Sequence, residues 1–178
     1  GQIAPRLQDL GDHKFPVKTD SARAQLFFNQ GMMLVYGFNH AEATRSFQEA
    51  ARLDPNCAMA YWGLAYVLGP NINMSMPPES EPKAYELIQK AIASKKNASV
   101  REQAYIEALA KRYSREVKPD RTARDRAYAE AMRDLSRRYP DDLDAATLWA
   151  EAMMDLRPWN YWTRDMQPYP ETKEIMQV

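Results

Sequence analysis

The chain has 178 residues, with 24 basic and 24 acidic side chains, a formal net charge of zero and a single cysteine. Zero net charge leaves no global field to gather nucleic acid or an anionic surface, the lone Cys57 excludes an internal disulfide framework and any CxxC motif, and no apolar run approaches the ~18 residues that span a bilayer. A compact chain of this length buries roughly 70% of its unfolded surface, so its core needs no covalent staples.

Residues 1–18 carry Pro5, Gly11 and Pro16 without a sustained helical period, which predicts an extended lead-in over residues 1–20 that lays Leu7, Leu10 and Phe15 on the first pair of helices. The sequence opens without Met, which suits either a processed mature chain, the reading preferred, or a trimmed one. Thr19, Asp20 and Ser21 offer N-cap oxygens to a first helix running to about Tyr36. The turn GFNH and a second helix from Ala41 to about Leu53 come next, stopped by Pro55. Asn56 is expected to cap a third helix, AMAYWGLAYVLG. The following PNINMSMPPESEP has four prolines, which forbid continuous helix. A fourth helix carries Ala84, Ile88 and Ala91 on one face.

The fifth helix is expected over residues 99–114, with Val100, Ala104, Tyr105, Ala108 and Leu109 as its apolar set, and the sixth over residues 121–138 through Tyr128, Met132 and Leu135. Asp141 or Asp142 caps a seventh helix with Ala146, Trp149, Ala150 and Met153 on one face. A second long loop, RPWNYWTRDMQPYPE, leads into ETKEIMQV, too short to be a stable helix alone.

Counted from Ala24, Phe27 falls at position four, Gly31 at eight, Leu34 at eleven, Ala43 at twenty, Phe47 at twenty-four, Ala50 at twenty-seven and Pro55 at thirty-two. The next run repeats in phase, with Tyr61 at four, Leu64 at seven, Ala65 at eight and Leu68 at eleven. This pattern resembles the tetratricopeptide repeat (TPR), whose period is about 34 residues and whose signature is W-x2-L-G-x2-Y, then A-x3-F, then P. The resemblance implies an all-α, right-handed solenoid of about three and a half helical hairpins, with repeats near residues 24–57, 58–97, 98–140 and an incomplete 141–178. The wording SARAQLFFNQGMMLVYGFNHAEATRSFQEAARLDP followed by AMAYWGLAYVLGPNIN further resembles a bacterial subgroup of often exported TPR proteins. That implies a periplasmic or extracellular setting but no activity.

The resemblance also implies which side chains face the concave groove: Gln25, Phe28, Met32 and Val35 in the first repeat, and Met59, Trp62, Tyr66 and Gly69 in the second. An apolar, aromatic groove suits a protein or peptide partner with an apolar segment; the same side chains would equally pack under the lead-in or the long loops. The family's two-carboxylate clamp for chaperone tails is absent, because Phe28, Met32 and Gly63 stand where it needs Lys and Asn. The expected function is thus a non-catalytic interaction scaffold. A structural subunit that self-associates end to end through Glu171, Ile175, Met176 and Val178 is the alternative, and the N-terminal part of a longer metal-binding or enzyme-associated protein the lesser one.

Other chemistry is sparse. His13 and His40 are the only histidines, and His40 reads as a packed ring at a turn. Met74, Met76 and Met166 would suit Cu(I) as thioethers but also serve as apolar filler. Residues 111–138 hold ten basic and five acidic side chains, read as a solvated helix face and not as a nucleic-acid patch. Asn73-Met74-Ser75 and Asn97-Ala98-Ser99 match the permissive glycosylation pattern. No catalytic residue, cofactor, metal set, nucleic-acid partner or membrane insertion is expected.

Overall fold

The computed structural model describes residues 1–116 and 119–178, and among these the chain is all-helical apart from two isolated β-bridges. Eight α-helices succeed one another in these residues: α1 (Ala22–Tyr36), α2 (His40–Leu53), α3 (Ala58–Tyr66), α4 (Glu81–Ala93), α5 (Val100–Ala110), α6 (Arg121–Arg138), α7 (Leu143–Asp155) and α8 (Pro170–Ile175). Consecutive helices pair as stacked hairpins, and α3 packs in turn against α1 and α5. No helix among the described residues is long and apolar enough to cross a membrane.

The caps explain most boundaries. Ser21, Asn39, Asp120 and Asp142 each accept a backbone N–H of the first turn they precede. Ser99 and Glu102 form a reciprocal capping box at α5. Asn56 does not cap α3: the N-cap position is Cys57, without a side-chain bond, while the Asn56 N–H donates to Asp54 Oδ1 at 2.9 Å.

The first two hairpins are joined through one ring. Phe47 of α2 lies fully buried between Gly31 of α1 and Gly63 of α3, and a Cβ would come within 2.5 Å of the ring at Gly31 and 2.7 Å at Gly63. Glycine is therefore required by close approach. Ala43 and Ala50 are also fully buried, as small seam residues should be.

Three helices depart from expectation. α3 ends at Tyr66, because the chain tightens into three-residue bonds from Leu68 N–H to the Ala65 carbonyl and from Gly69 N–H to the Tyr66 carbonyl. The Tyr113 hydroxyl also donates to the Ala65 carbonyl, at 2.7 Å, giving that helix-end oxygen a second and shorter bond. Val100 is exposed instead of core, since it occupies the first position of α5, while Ile106 is buried in its stead. On α7 the buried face is Ala145, Leu148, Ala152, Met153 and Asp155, with Ala146, Trp149 and Ala150 only half-buried. That rotation carries Asp155 inward to a buried arginine.

The two long loops are each pinched by a bridge, Asn71 with Met74 and Trp162 with Pro168. Lys118, part of the basic stretch, lies outside the described residues.

Candidate functional site

The lead-in does not lie loosely on the first hairpin; polar side chains of the helices hold its main chain. Gln25 accepts from the Val17 N–H (2.9 Å) and donates to the Phe15 carbonyl (2.8 Å). One turn on, Asn29 accepts from the Phe15 N–H (3.1 Å). Gln30 accepts from the Leu7 N–H (2.9 Å) and donates to the Pro5 carbonyl (3.0 Å). Glu49 accepts from the Ile3 N–H (2.9 Å) and Glu102 from the Lys18 N–H (2.7 Å). Each glutamine amide thus presents an acceptor and a donor to an extended chain, as a neighbouring strand would.

One side chain anchors the segment. Phe15 is buried, with its ring 5.5 Å from Phe28, 6.2 Å from Trp62 and 5.3 Å from Tyr105, so it bridges α1, α3 and α5. Ala4 is buried as well, and Leu7, Leu10 and Val17 pack half-buried against the core. The Trp62 indole N–H donates to the Tyr105 carbonyl at 3.1 Å, which fixes the floor of this seat.

The two carboxylates of the seat are held by different partners. Arg52 donates two bonds to Glu49, at 2.9 and 2.7 Å, and with the Ile3 N–H holds its carboxyl down at about 2. Glu102 divides its oxygens between the Ser99 N–H (2.6 Å) and the Lys18 N–H, tying the cap of α5 to the exit of the lead-in.

Beyond the lead-in, the face formed by α1 and α3, the first helices (A-helices) of the first two hairpins, meets α7. Tyr36 donates to Asp144 Oδ1 at 2.5 Å, His13 Nε2 lies 2.9 Å from the same oxygen, and Tyr66 donates to Glu151 Oε2 at 2.8 Å. Between these ties is a cavity of about 330 Å³ walled by Val35, Tyr36, Tyr66 and Leu148, with Glu151 in its lining and Phe38 and His40 at its edge. Phe38 and His40 stack, with ring centroids 6.3 Å apart, and burial lowers the His40 pKa.

Behind Glu151 is an ionic network that the sequence does not announce. Arg112, wholly buried, donates to Asp125 (3.0 Å) and Asp155 (2.5 Å), and its guanidinium lies 4.6 Å over the Tyr128 ring. Arg121 continues to Asp125 (3.2 Å) and Glu81 (2.7 Å), and Glu81 accepts from the Ser114 N–H (2.6 Å). Burial and the neighbouring Glu151 push Asp155 up to about 8 despite Arg112, and burial likewise raises Glu151. Arg112 Nη1, Asp155 Oδ1 and the Tyr128 hydroxyl have no hydrogen-bond partner among the described residues. The basic stretch is therefore not all solvated face: two of its arginines are structural cations.

The residues expected to line a groove are distributed accordingly. Phe28, Met32, Met59 and Trp62 are fully buried, Val35 and Tyr66 nearly so, and Gln25 is half-buried against the lead-in. Only Val35 and Tyr66 also border the cavity. At the other end, Glu171 and Ile175 are half-buried while Met176 and Val178 are exposed, as are Trp159, Trp162 and Met166.

Among the described residues, no three His, Cys, Asp or Glu side chains are placed to hold a metal. Of the thioethers, Met76 takes a contact from Arg121 Nη1 at 3.5 Å, an unfavourable neighbour for Cu(I), while Met74 and Met166 are exposed. Cys57 is buried and its thiol pushed up to about 11, so it is a poor nucleophile. The missed elements, Gln25, Asn29 and Gln30 reading a main chain, had one visible signal: polar amides repeating at helical spacing on an otherwise apolar helix. Comparison of the chain with protein-family models, with curated proteins and with solved structures returns no match.

Proposed function

We propose that this chain is a non-catalytic, TPR-type interaction scaffold whose A-helix face binds an extended segment by its main chain and one aromatic anchor. The observation that carries this reading is the lead-in itself, which occupies that face as a bound peptide would: five backbone N–H groups accepted by side chains and Phe15 enclosed by Phe28, Trp62 and Tyr105. Bonds to the main chain tolerate many sequences, and the aromatic pocket supplies selectivity. A partner with an extended aromatic segment then competes with residues 1–18 for the same seat.

Trp62→Ala is a poor test, because Trp62 is core and such a truncation costs about 3–5 kcal/mol by itself. Phe15→Ala vacates the anchor itself; because Phe15 is also buried, an unchanged helical circular dichroism spectrum is required of the variant before titration. Titrated by NMR with a synthetic peptide of residues 11–19, that variant should bind at the seat, and Gln25→Ala added to it should weaken binding. Absence of binding to the Phe15→Ala chain would remove the proposal.

A second reading, self-association, is favoured by one observation: Trp159, Trp162, Met166, Met176 and Val178 are all large, apolar and exposed in the segment that follows α7. Sedimentation equilibrium of the chain, alone and with Trp159→Ser, distinguishes it, since a monomer in both cases excludes this use of the surface.

A further inference from the structure

The cavity beside α7 is separate from the lead-in seat and has a different chemistry. Its lining includes Val35, Tyr36, Phe38, Tyr66 and Leu148, and its one carboxylate is Glu151. Three aromatic rings and one carboxylate around a small cavity form the arrangement that attracts organic cations, through the negative ring faces and a direct charge. The volume, about 330 Å³, lies at the small end of ligand sites and fits a fragment-sized molecule.

Charge balance points the same way. Glu151 belongs to a buried group in which two guanidiniums, Arg112 and Arg121, face the carboxylates of Asp125, Asp155 and Glu81 as well. Arg112 bonds Asp125 and Asp155 and Arg121 bonds Asp125 and Glu81, with Asp155 itself raised to about 8 and so protonated at neutral pH. Glu151 makes no ion pair among the described residues: it receives the neutral Tyr66 hydroxyl and feels Arg112 only through space, so with Asp155 protonated three carboxylates still face two guanidiniums. A buried carboxylate in that position either keeps a proton or takes a cationic partner. His40 does not supply the charge, since burial favours its neutral form.

We propose that this cavity is a binding site for an organic ammonium group, carried by a small free amine or by a lysine side chain, with Glu151 as the counter-ion and Tyr36, Phe38 and Tyr66 as the aromatic wall. Tyr66, by donating to Glu151, sets the carboxylate in place and so is a positioning residue. The site does not require the lead-in to leave, so its failure and that of the peptide seat are separately visible.

The test is calorimetric titration of the full chain with phenethylammonium chloride, with Nα-acetyl-lysine amide and with the uncharged isostere 2-phenylethanol. At least one ammonium probe should bind, the isostere should bind roughly tenfold or more weakly, and Glu151→Gln should erase that difference. Phe38→Ala is the second variant, because Phe38 is on the surface and its loss leaves the fold intact; it should weaken ammonium binding by roughly threefold. Stronger binding of the free amine assigns the site to small molecules, and stronger binding of the lysine derivative to proteins. Equal affinity for probe and isostere, unchanged affinity in both variants, or no heat from either ammonium probe overturns the proposal.

Discussion

Gly31 and Gly63 sit on either side of Phe47, and neither has room for a methyl group. Because that ring is enclosed on both sides it cannot swing away, so Gly31→Ala should destabilise the fold by about 1–3 kcal/mol, read as a lowered urea midpoint at unchanged m-value. Asp155 makes a second prediction. Its carboxyl is raised from an ordinary aspartate value to about 8 in the folded chain, so between those values the folded state holds a proton that the unfolded state has released. Stability from this group is full below the unfolded value and is lost as pH rises through about 8. Thermal unfolding of the native chain should accordingly move to lower temperature between pH 5 and pH 9, and Asp155→Asn should lose most of that slope. Glu49 has the opposite sign: held down at about 2 by Arg52, it contributes stability at neutral pH that disappears on acidification toward that value.

Helices were the most legible elements, and for nameable reasons. Ser21 and Asp142 announce helix starts chemically, and Pro55 and the loop prolines announce breaks. Buried faces were less legible where polar residues go inside. Asp155 reads as a solvent residue, so the rotation of α7 toward Arg112 is invisible until α5, α6 and α7 are seen together. The apolar positions Phe28, Met32, Met59 and Trp62 were visible as a set, but sequence alone leaves the lead-in and the long loops as equal candidates to cover them. Phe15 of the lead-in packs on Phe28 and Trp62, and its main chain is held by glutamine and asparagine side chains that carry no apolar signal. Ordering its backbone costs about 1–2 kcal/mol per residue against roughly 1 kcal/mol net per hydrogen bond. Its hydrogen bonds therefore cannot hold it unaided, and the burial of Phe15 is required. At the same scale, Ser99→Ala should cost about 1 kcal/mol through the lost cap and also loosen Lys18, since Glu102 serves both; urea unfolding and exchange of the Lys18 amide read the two effects.

At the scale of the molecule, long-range ties close the stack on itself. Tyr36 to Asp144 and Tyr66 to Glu151 connect α1 and α3 directly to α7, and Arg112 with Arg121 joins α4, α5, α6 and α7 through four ion pairs. Replacing Arg112 by alanine leaves buried carboxylates without a counter-charge and should cost about 3–5 kcal/mol, whereas methionine with Asp125→Asn and Asp155→Asn should recover much of it; chemical denaturation of the two variants measures the difference. Against this cross-tied body the lead-in is an extended segment held by side chains, and its role as a detachable occupant is the account's central claim. Amide hydrogen exchange in the native chain and in Phe15→Ala tests it most directly, with α6 as the internal reference. Ile3, Leu7, Val17 and Lys18 should lose protection by roughly tenfold or more in the variant while α6 keeps its own. Protection that falls equally in the lead-in and in α6, or that does not change at all, would contradict it.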